Sequence, residues 1–197
     1  MENFKKLDQF ISSIINWTKE EKLSFFEQLS IKKYKAGEYL IKEKEFCNKL
    51  FFINKGLVSI VLKDKEGNSI TTNFIAENNF ATSMLAFLNK QTSRVFLLAL
   101  EDIHCIEISR PALNWLYENV KEGNKFGRIQ FELLHDWLNK RQSLNYITEP
   151  IERYRLMLMM YPGIEKRVSQ KIISSFLRID PAHFSRLKSK SDSKASK

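Results

Sequence analysis

Residues 168–190 read VSQKIISSFLRIDPAHFSRLKSK and hold two short helical patterns around a tight break. Ser169 can cap the first, because its hydroxyl can accept a hydrogen bond from a free backbone N–H of the first turn. Ile172, Ile173, Phe176 and Leu177 recur at helical spacing and give that helix one apolar face. The break is Arg178-Ile179-Asp180. Asp180 is a good N-cap, and Pro181 suits the first helical position, where its missing N–H would have had no partner. On the second helix Phe184 and Leu187 point inward. Ala182, Ser185, Arg186 and Ser189 fall on the opposite side, flanked by His183 and Lys190. Two short helices, a tight turn and a basic outer face form a helix-turn-helix signature, whose outer face fits the DNA major groove. An ordinary helical hairpin with a solvated face has the same pattern, so the rest of the chain must decide.

At 197 residues one large or two small domains are expected, and 43% hydrophobic with 12% aromatic residues suffices for a sizeable core. The net charge of +9 is unevenly spread. Residues 148–197 carry 11 Lys and Arg against 5 Asp and Glu, a net +6. A basic end on a near-balanced body points to a polyanionic partner. The final SDSKASK is small and polar, and is expected to be disordered. Cys47 and Cys105 are far apart and form neither a metal-ligand spacing nor a disulfide framework, as fits reduced thiols in the cytoplasm. No stretch reads as a signal peptide or as a membrane span. A cytoplasmic protein with no membrane partner is expected.

Upstream, Phe4, Leu7, Phe10, Ile11, Ile14 and Ile15 lie at helical spacing, and Thr18 with Glu21 forms a capping box for a second helix. From Ile31 to Ile108 the period changes to short β-type runs between turn signals, the strongest being 64–68, DKEGN. Many short strands at close spacing predict a small sandwich or barrel. After Ser109 the helical period returns, with a long helix from about Asn124 to Ile147. Its stripe is Phe126, Ile129, Leu133, Trp137 and Leu144, with Leu134 and Leu138 alongside and Phe131 on another face. Apolar residues on more than one face need more than one partner surface. One face can pack on the strand domain and the stripe can form a homodimer seam. A helix from Ile151 to Met160 then leads into the 168–190 hairpin. Its Met157, Met159 and Met160 read as core packing.

Helices, a small β-barrel, a long helix, then a basic helix-turn-helix: this order resembles the Crp/Fnr superfamily of bacterial transcription regulators. IISSFLRIDPAHFSRLKSK is similar to the family's recognition segment, LFFINKGLVSIVLKDKEGNSI to the middle of its cyclic-nucleotide roll, and NKQTSRVFLLALED to the run into its late strands. The resemblance implies an α+β chain. Residues 1–109 would form a double-stranded β-helix (jelly-roll) sensor with N-terminal helices. Residues 110–147 would form connecting and dimerisation helices, and residues 148–197 a winged-helix-like helix-turn-helix domain with a disordered tail. Double-stranded DNA, a second copy of the chain, a small-molecule effector and RNA polymerase are the partners it implies.

The departures are as informative. Classical members hold cyclic AMP with a Gly-Glu at a helix start and a following Arg-Ser pair, which neutralise the phosphate and hold the ribose. The matching positions here are Thr82 and Ser83, then Ser93 and Arg94 in reversed order. A one-residue shift in a strand turns a side chain to the other face, so Arg94 does not replace the missing Arg. Losing a charged bidentate partner costs on the order of 2–5 kcal/mol. This disfavours cyclic AMP and leaves the roll to another small effector or to none. In the reader, the Arg and Glu that open the classical recognition helix match Pro181 and Ala182, while Arg186 matches the later Arg, which can take a guanine edge bidentately. Ser169, Gln170, His183, Ser185, Lys188 and Lys190 are candidates for phosphate or supporting contacts. Arg178 stands where the turn often has Gly. It adds a candidate phosphate contact and is tolerable there if its backbone avoids the left-handed region.

Two cysteines cannot supply an iron–sulfur cluster, which takes about four ligands. His104 beside Cys105 is a conceivable haem ligand, and more simply a packing residue. No Gly-rich phosphate loop, metal-ligand cluster or nucleophile–base pair is present, and His104, His135 and His183 fall in three separate elements, so an enzyme is not expected. The competing reading is a small-molecule-binding module whose helix-turn-helix contacts another protein.

Overall fold

The computed structural model describes residues 2–195, with side chains for residues 2–189. Helices α1 (Lys5–Ser12) and α2 (Lys19–Phe26) open the chain. Thr18 caps α2 in a full capping box: its hydroxyl accepts from the Glu21 N–H at 3.1 Å, and its own N–H donates to the Glu21 carboxylate at 2.7 Å. Strands β1 (Ser30–Tyr34), β2 (Tyr39–Ile41), β3 (Lys49–Lys55), β4 (Val58–Lys63) and β5 (Ser69–Ile75) follow. Then come β6 (Phe80–Ala81), the short helix α3 (Met84–Asn89), β7 (Phe96–Ala99) and β8 (Ile103–Ser109). The strands pair antiparallel in two sheets, in the orders β1-β8-β3-β6 and β2-β7-β4-β5.

β3 explains how the first core forms. Leu50, Phe51, Phe52 and Ile53 are all buried, so the run is continuously apolar rather than alternating. Adjacent side chains leave a strand on opposite faces, and both faces are covered. Phe52 meets Phe10 of α1 at 5.5 Å and Phe80 at 5.3 Å between ring centroids. Phe51 stands edge-on to Tyr34 at 6.0 Å.

Helices α4 (Arg110–Asn119), α5 (Gly123–Tyr146) and α6 (Pro150–Met160), a 3-10 turn (Ile164–Lys166), α7 (Gln170–Leu177) and α8 (Pro181–Ala195) complete the chain. Two expectations need correcting here. The C-terminal unit is not winged: among the described residues every strand precedes Arg110, because no β-patterned run follows Ser109. The tail expected to be disordered is helical through Ala195, since SDSKA contains no Pro or Gly to stop α8. Residues 196–197 lie outside the described residues.

A second core holds the C-terminal helices to the roll. Leu144, Tyr154, Met157, Phe176 and Phe184 pack with Leu57 and Phe74 of the roll. Met157 is buried, but Met159 on the same helix is exposed, so the methionines are not one core cluster. Polar contacts reinforce the join. The Thr71 N–H donates to the Ser175 hydroxyl at 3.0 Å, and Arg141 donates from Nε to the Thr72 carbonyl at 2.9 Å.

Gly56 sits at the base of this join with φ +98°, and a Cβ there would lie 2.6 Å from the Asp102 carbonyl oxygen. Its N–H donates to the Glu77 carboxylate at 2.8 Å. Gly56→Ala combines a left-handed backbone with a clash against backbone, and should cost at least about 2 kcal/mol. Thermal unfolding should show a Tm fall of roughly 4–8 °C. Gly67→Ala, at φ +86° with open space around it, serves as comparison and should cost no more than about 1–2 kcal/mol.

Candidate nucleic-acid interface and ligand pocket

The 168–190 segment folds as its caps dictate. The Ser169 hydroxyl accepts from the Ile172 N–H at 3.4 Å, and Asp180 Oδ1 accepts from the N–H groups of Ala182 and His183 at 2.8 and 3.1 Å. Phe184 is fully buried and Leu187 packs against the second core. Ala182, His183, Ser185, Arg186 and Ser189 are exposed on the opposite face of α8, and Ser169, Gln170 and Arg178 are exposed on the flank. Lys188 departs from this set. Its ammonium sits 2.6 Å from Glu165, which also accepts from the Tyr154 hydroxyl, so an internal carboxylate already holds it. The side chain of Lys190 lies outside the described residues. Arg178 occupies the left-handed region at φ 54°, ψ 48°, the conformation in which Gly would be free of strain.

The expected pocket residues divide. Thr82, Ser83 and Ser93 are buried around the 44–47 segment. The Thr82 hydroxyl donates to the Lys49 carbonyl at 2.8 Å and lies 3.3 Å from Cys47 Sγ. The Ser93 hydroxyl donates to the Val95 carbonyl at 2.6 Å and accepts the Val95 N–H at 3.1 Å. The hydroxyls of Thr82 and Ser93 therefore close on the chain itself. Arg94 is exposed at a bend before β7, which starts at Phe96 rather than at Arg94. Cys105 is buried on β8 beside the exposed His104, and burial first, with Glu107 second, pushes its thiol up to about 12.

The long helix corrects the expected seam. Phe126 lies in the first core and Leu144 in the second, so both are consumed within the chain. Ile129 and Trp137 are half-buried, and Leu133 is exposed. Phe131, at 59%, and Leu138, at 47%, are exposed beside them.

A charged clasp that carries no signal in the sequence joins the C-terminal helices to the roll. Arg167, between the 3-10 turn and α7, donates to Glu77 at 2.9 and 3.0 Å and to Glu101 at 2.7 and 2.8 Å. Burial alone would raise the Glu77 carboxyl, but Arg167 and the backbone N–H groups of Glu77 and Gly56 bring it down to about 2. Sequence carried no signal for this fork, because Glu77, Glu101 and Arg167 are distant in the chain and each looks like an ordinary surface charge.

A family model, the cyclic nucleotide-binding domain, matches residues 31–120. The fold is shared with a cyclic nucleotide-binding domain containing protein from Listeria monocytogenes, at TM-score 0.69 and 18% identity over 94% of this chain and 89% of that one. CLP from Xanthomonas campestris, described as a c-di-GMP-responsive global regulator, aligns at TM-score 0.67 and 15% identity over 90% and 93% of the two chains. FixK2 from Bradyrhizobium japonicum aligns at TM-score 0.67 and 13% identity over 85% and 86%. No curated protein matches the sequence. The β-roll thus has the sequence pattern and the fold of a cyclic nucleotide-binding domain. Among the described residues no helix is long and apolar enough to cross a membrane.

The Arg167 fork generates a pH-dependent expectation. A carboxyl depressed from 4.5 contributes stability that is present above that value and lost as pH falls through about 2. Arg167→Gln should loosen the join by about 1–2 kcal/mol, allowing for its partial exposure. Amide exchange in β5 and α7 should accelerate roughly 5- to 30-fold near neutral pH. The difference from wild type should vanish as pH is lowered from about 4.5 toward 2.

Proposed function

We propose that this chain is a homodimeric DNA-binding transcription regulator of the Crp/Fnr type, whose sensor roll has a diverged nucleotide pocket. The observation that carries this reading is α8. It buries Phe184 against the C-terminal core and presents Ala182, His183, Ser185 and Arg186 to solvent, with Gln170 and Arg178 beside them. A helix whose polar outer face carries Arg186, on a well-packed hairpin, suits major-groove reading. The domain division at residues 109–110 and 147–148 belongs to this proposal.

Arg186 reads a base edge in this reading, and Ser169, Gln170, Arg178, His183, Ser185 and Lys190 contact phosphates or support it. Lys188 is removed from that role by Glu165. RNA polymerase is the further partner such a regulator would engage. In the roll, the internal bonds of Thr82 and Ser93 and the exposure of Arg94 support a pocket without the phosphate clamp of cyclic AMP binders. An effector of this roll would be held through other groups.

The dimer seam is the middle of α5. The helix is anchored at Phe126 and at Leu144, leaving Ile129, Leu133 and Trp137 with Leu138 for a second copy. Leu133→Glu should raise the concentration needed for dimerisation at least about tenfold in sedimentation equilibrium, because it places a charge in an apolar seam. An unchanged midpoint would show that α5 is not the interface.

Selection from a random duplex pool at near-physiological salt tests the reader directly. The expected product is a two-fold symmetric motif whose half-site spacing follows dimer symmetry. Arg186→Ala should lose about 1–3 kcal/mol at one base position and relax preference there. Identical enrichment by parent and variant would remove Arg186 from base reading. Sequence-blind binding by the parent would favour a protein partner for this face.

A further inference from the structure

A cavity of about 90 Å³ opens where the end of α5, helix α6 and the C-terminal end of α7 meet. Its walls carry three guanidinium groups, Arg141, Arg153 and Arg178, and the Asn145 amide, over Leu144 and Phe176. No Asp or Glu lines it.

Arg141 and Arg153 are incompletely satisfied, and Arg178 is exposed at the cavity rim. Arg141 has one backbone acceptor, the Thr72 carbonyl, and its guanidinium stacks 4.5 Å over the Phe176 ring. Burial pulls its pKa down, Tyr161 offsets part of this, and Arg178 adds repulsion. Nε of Arg153 is buried with no hydrogen-bond partner among the described residues. Arg178 is held at this spot by a left-handed backbone at φ 54°. Three like charges converging without a counter-charge cost free energy, and an anion placed among them removes that cost.

We propose that this pocket binds the phosphate group of a small phosphorylated ligand. Guanidinium forks match phosphate oxygens, and three of them with an amide can engage a tetrahedral dianion from several sides. The volume corresponds to about three water molecules at roughly 30 Å³ each. A phosphate group fits, and a base or sugar attached to it would extend into solvent. A carboxylate would leave part of the donor set unused. The pocket is distinct from the Thr82–Arg94 region of the roll. Its walls span helices on both sides of the α5–α6 connection and include Arg141, which already ties α5 to β5. A bound phosphate would fix the reader helices in the orientation seen here.

The test is calorimetric titration of the full chain with inorganic phosphate, at constant ionic strength set with chloride. Saturable binding is expected, with acetate at least about tenfold weaker because it offers one fork only. Arg153→Gln should weaken phosphate at least about tenfold, and Arg153→Lys, which keeps charge but loses the fork, should fall between. Thermal unfolding without phosphate should leave Arg153→Gln at least as stable as the parent, since a repulsive charge is gone. DNA affinity should be the same for both without phosphate, whereas saturating phosphate, which engages Arg178 and fixes the reader helices, should change the DNA affinity of the parent and leave that of Arg153→Gln unchanged beyond ionic strength. Heat no greater than that of chloride, or an undiminished phosphate affinity in Arg153→Gln, would overturn the site. A loss of DNA affinity in phosphate-free Arg153→Gln would overturn the small-ligand assignment and give the pocket to the DNA backbone. Neither result depends on which DNA sequence the chain prefers.

Discussion

The arrangement of this molecule depends on one guanidinium shared by two carboxylates. Arg167 belongs to the C-terminal helices, while Glu77 and Glu101 belong to two loops of the β-roll. A guanidinium is planar and offers donors in a fixed fork, so two bidentate pairs fix direction as well as distance. Apolar burial alone would hold the two units together without specifying their angle, because hydrophobic contact is non-directional. Gly56 takes part through its N–H, which also reaches Glu77 and is available only because the backbone there adopts φ +98°.

Around that clasp the join is built twice more. Phe74 of β5 packs against Phe176 and Tyr161 at 5.2 and 5.3 Å, and Ser175 exchanges hydrogen bonds with the same strand. Arg141 comes from the long helix and reaches β5 at Thr72. One strand of the β-roll therefore meets both the C-terminal helices and α5. A change at the roll that moved β5 would act on α7 directly, without passing along the whole chain.

The charge distribution gives the C-terminal unit two different positive features. The outer face of α8, with Arg186, is exposed to solvent, where salt and water screen its charge. In the cavity, Arg141 is drawn back against the Phe176 ring, where an unpaired charge is more costly and an anion correspondingly more valuable. Lys188 shows how the same composition can be spent internally, since Glu165 neutralises it within the fold.

The sequence by itself determined the elements. Thr18, Ser169 and Asp180 cap the helices they were expected to cap, the DKEGN turn joins β4 and β5, and the apolar periods separate roll from helices. These features are local: a cap, a turn or a helical face is decided by residues a few positions apart. β6 was not legible, because two residues are too few to show a period. The absence of a wing needed the fold, as did the capture of Phe126 and Leu144 within the chain rather than in a seam, because a stripe on a helix does not say which surface will cover it. Only the tertiary structure decided the Arg167 fork, the pairing of Lys188 with Glu165 and the convergence of Arg141, Arg153 and Arg178. These rest on contacts between residues far apart in the chain, and a charged side chain on an amphipathic element reads the same in sequence whether it ends in water, on a carboxylate or beside another arginine.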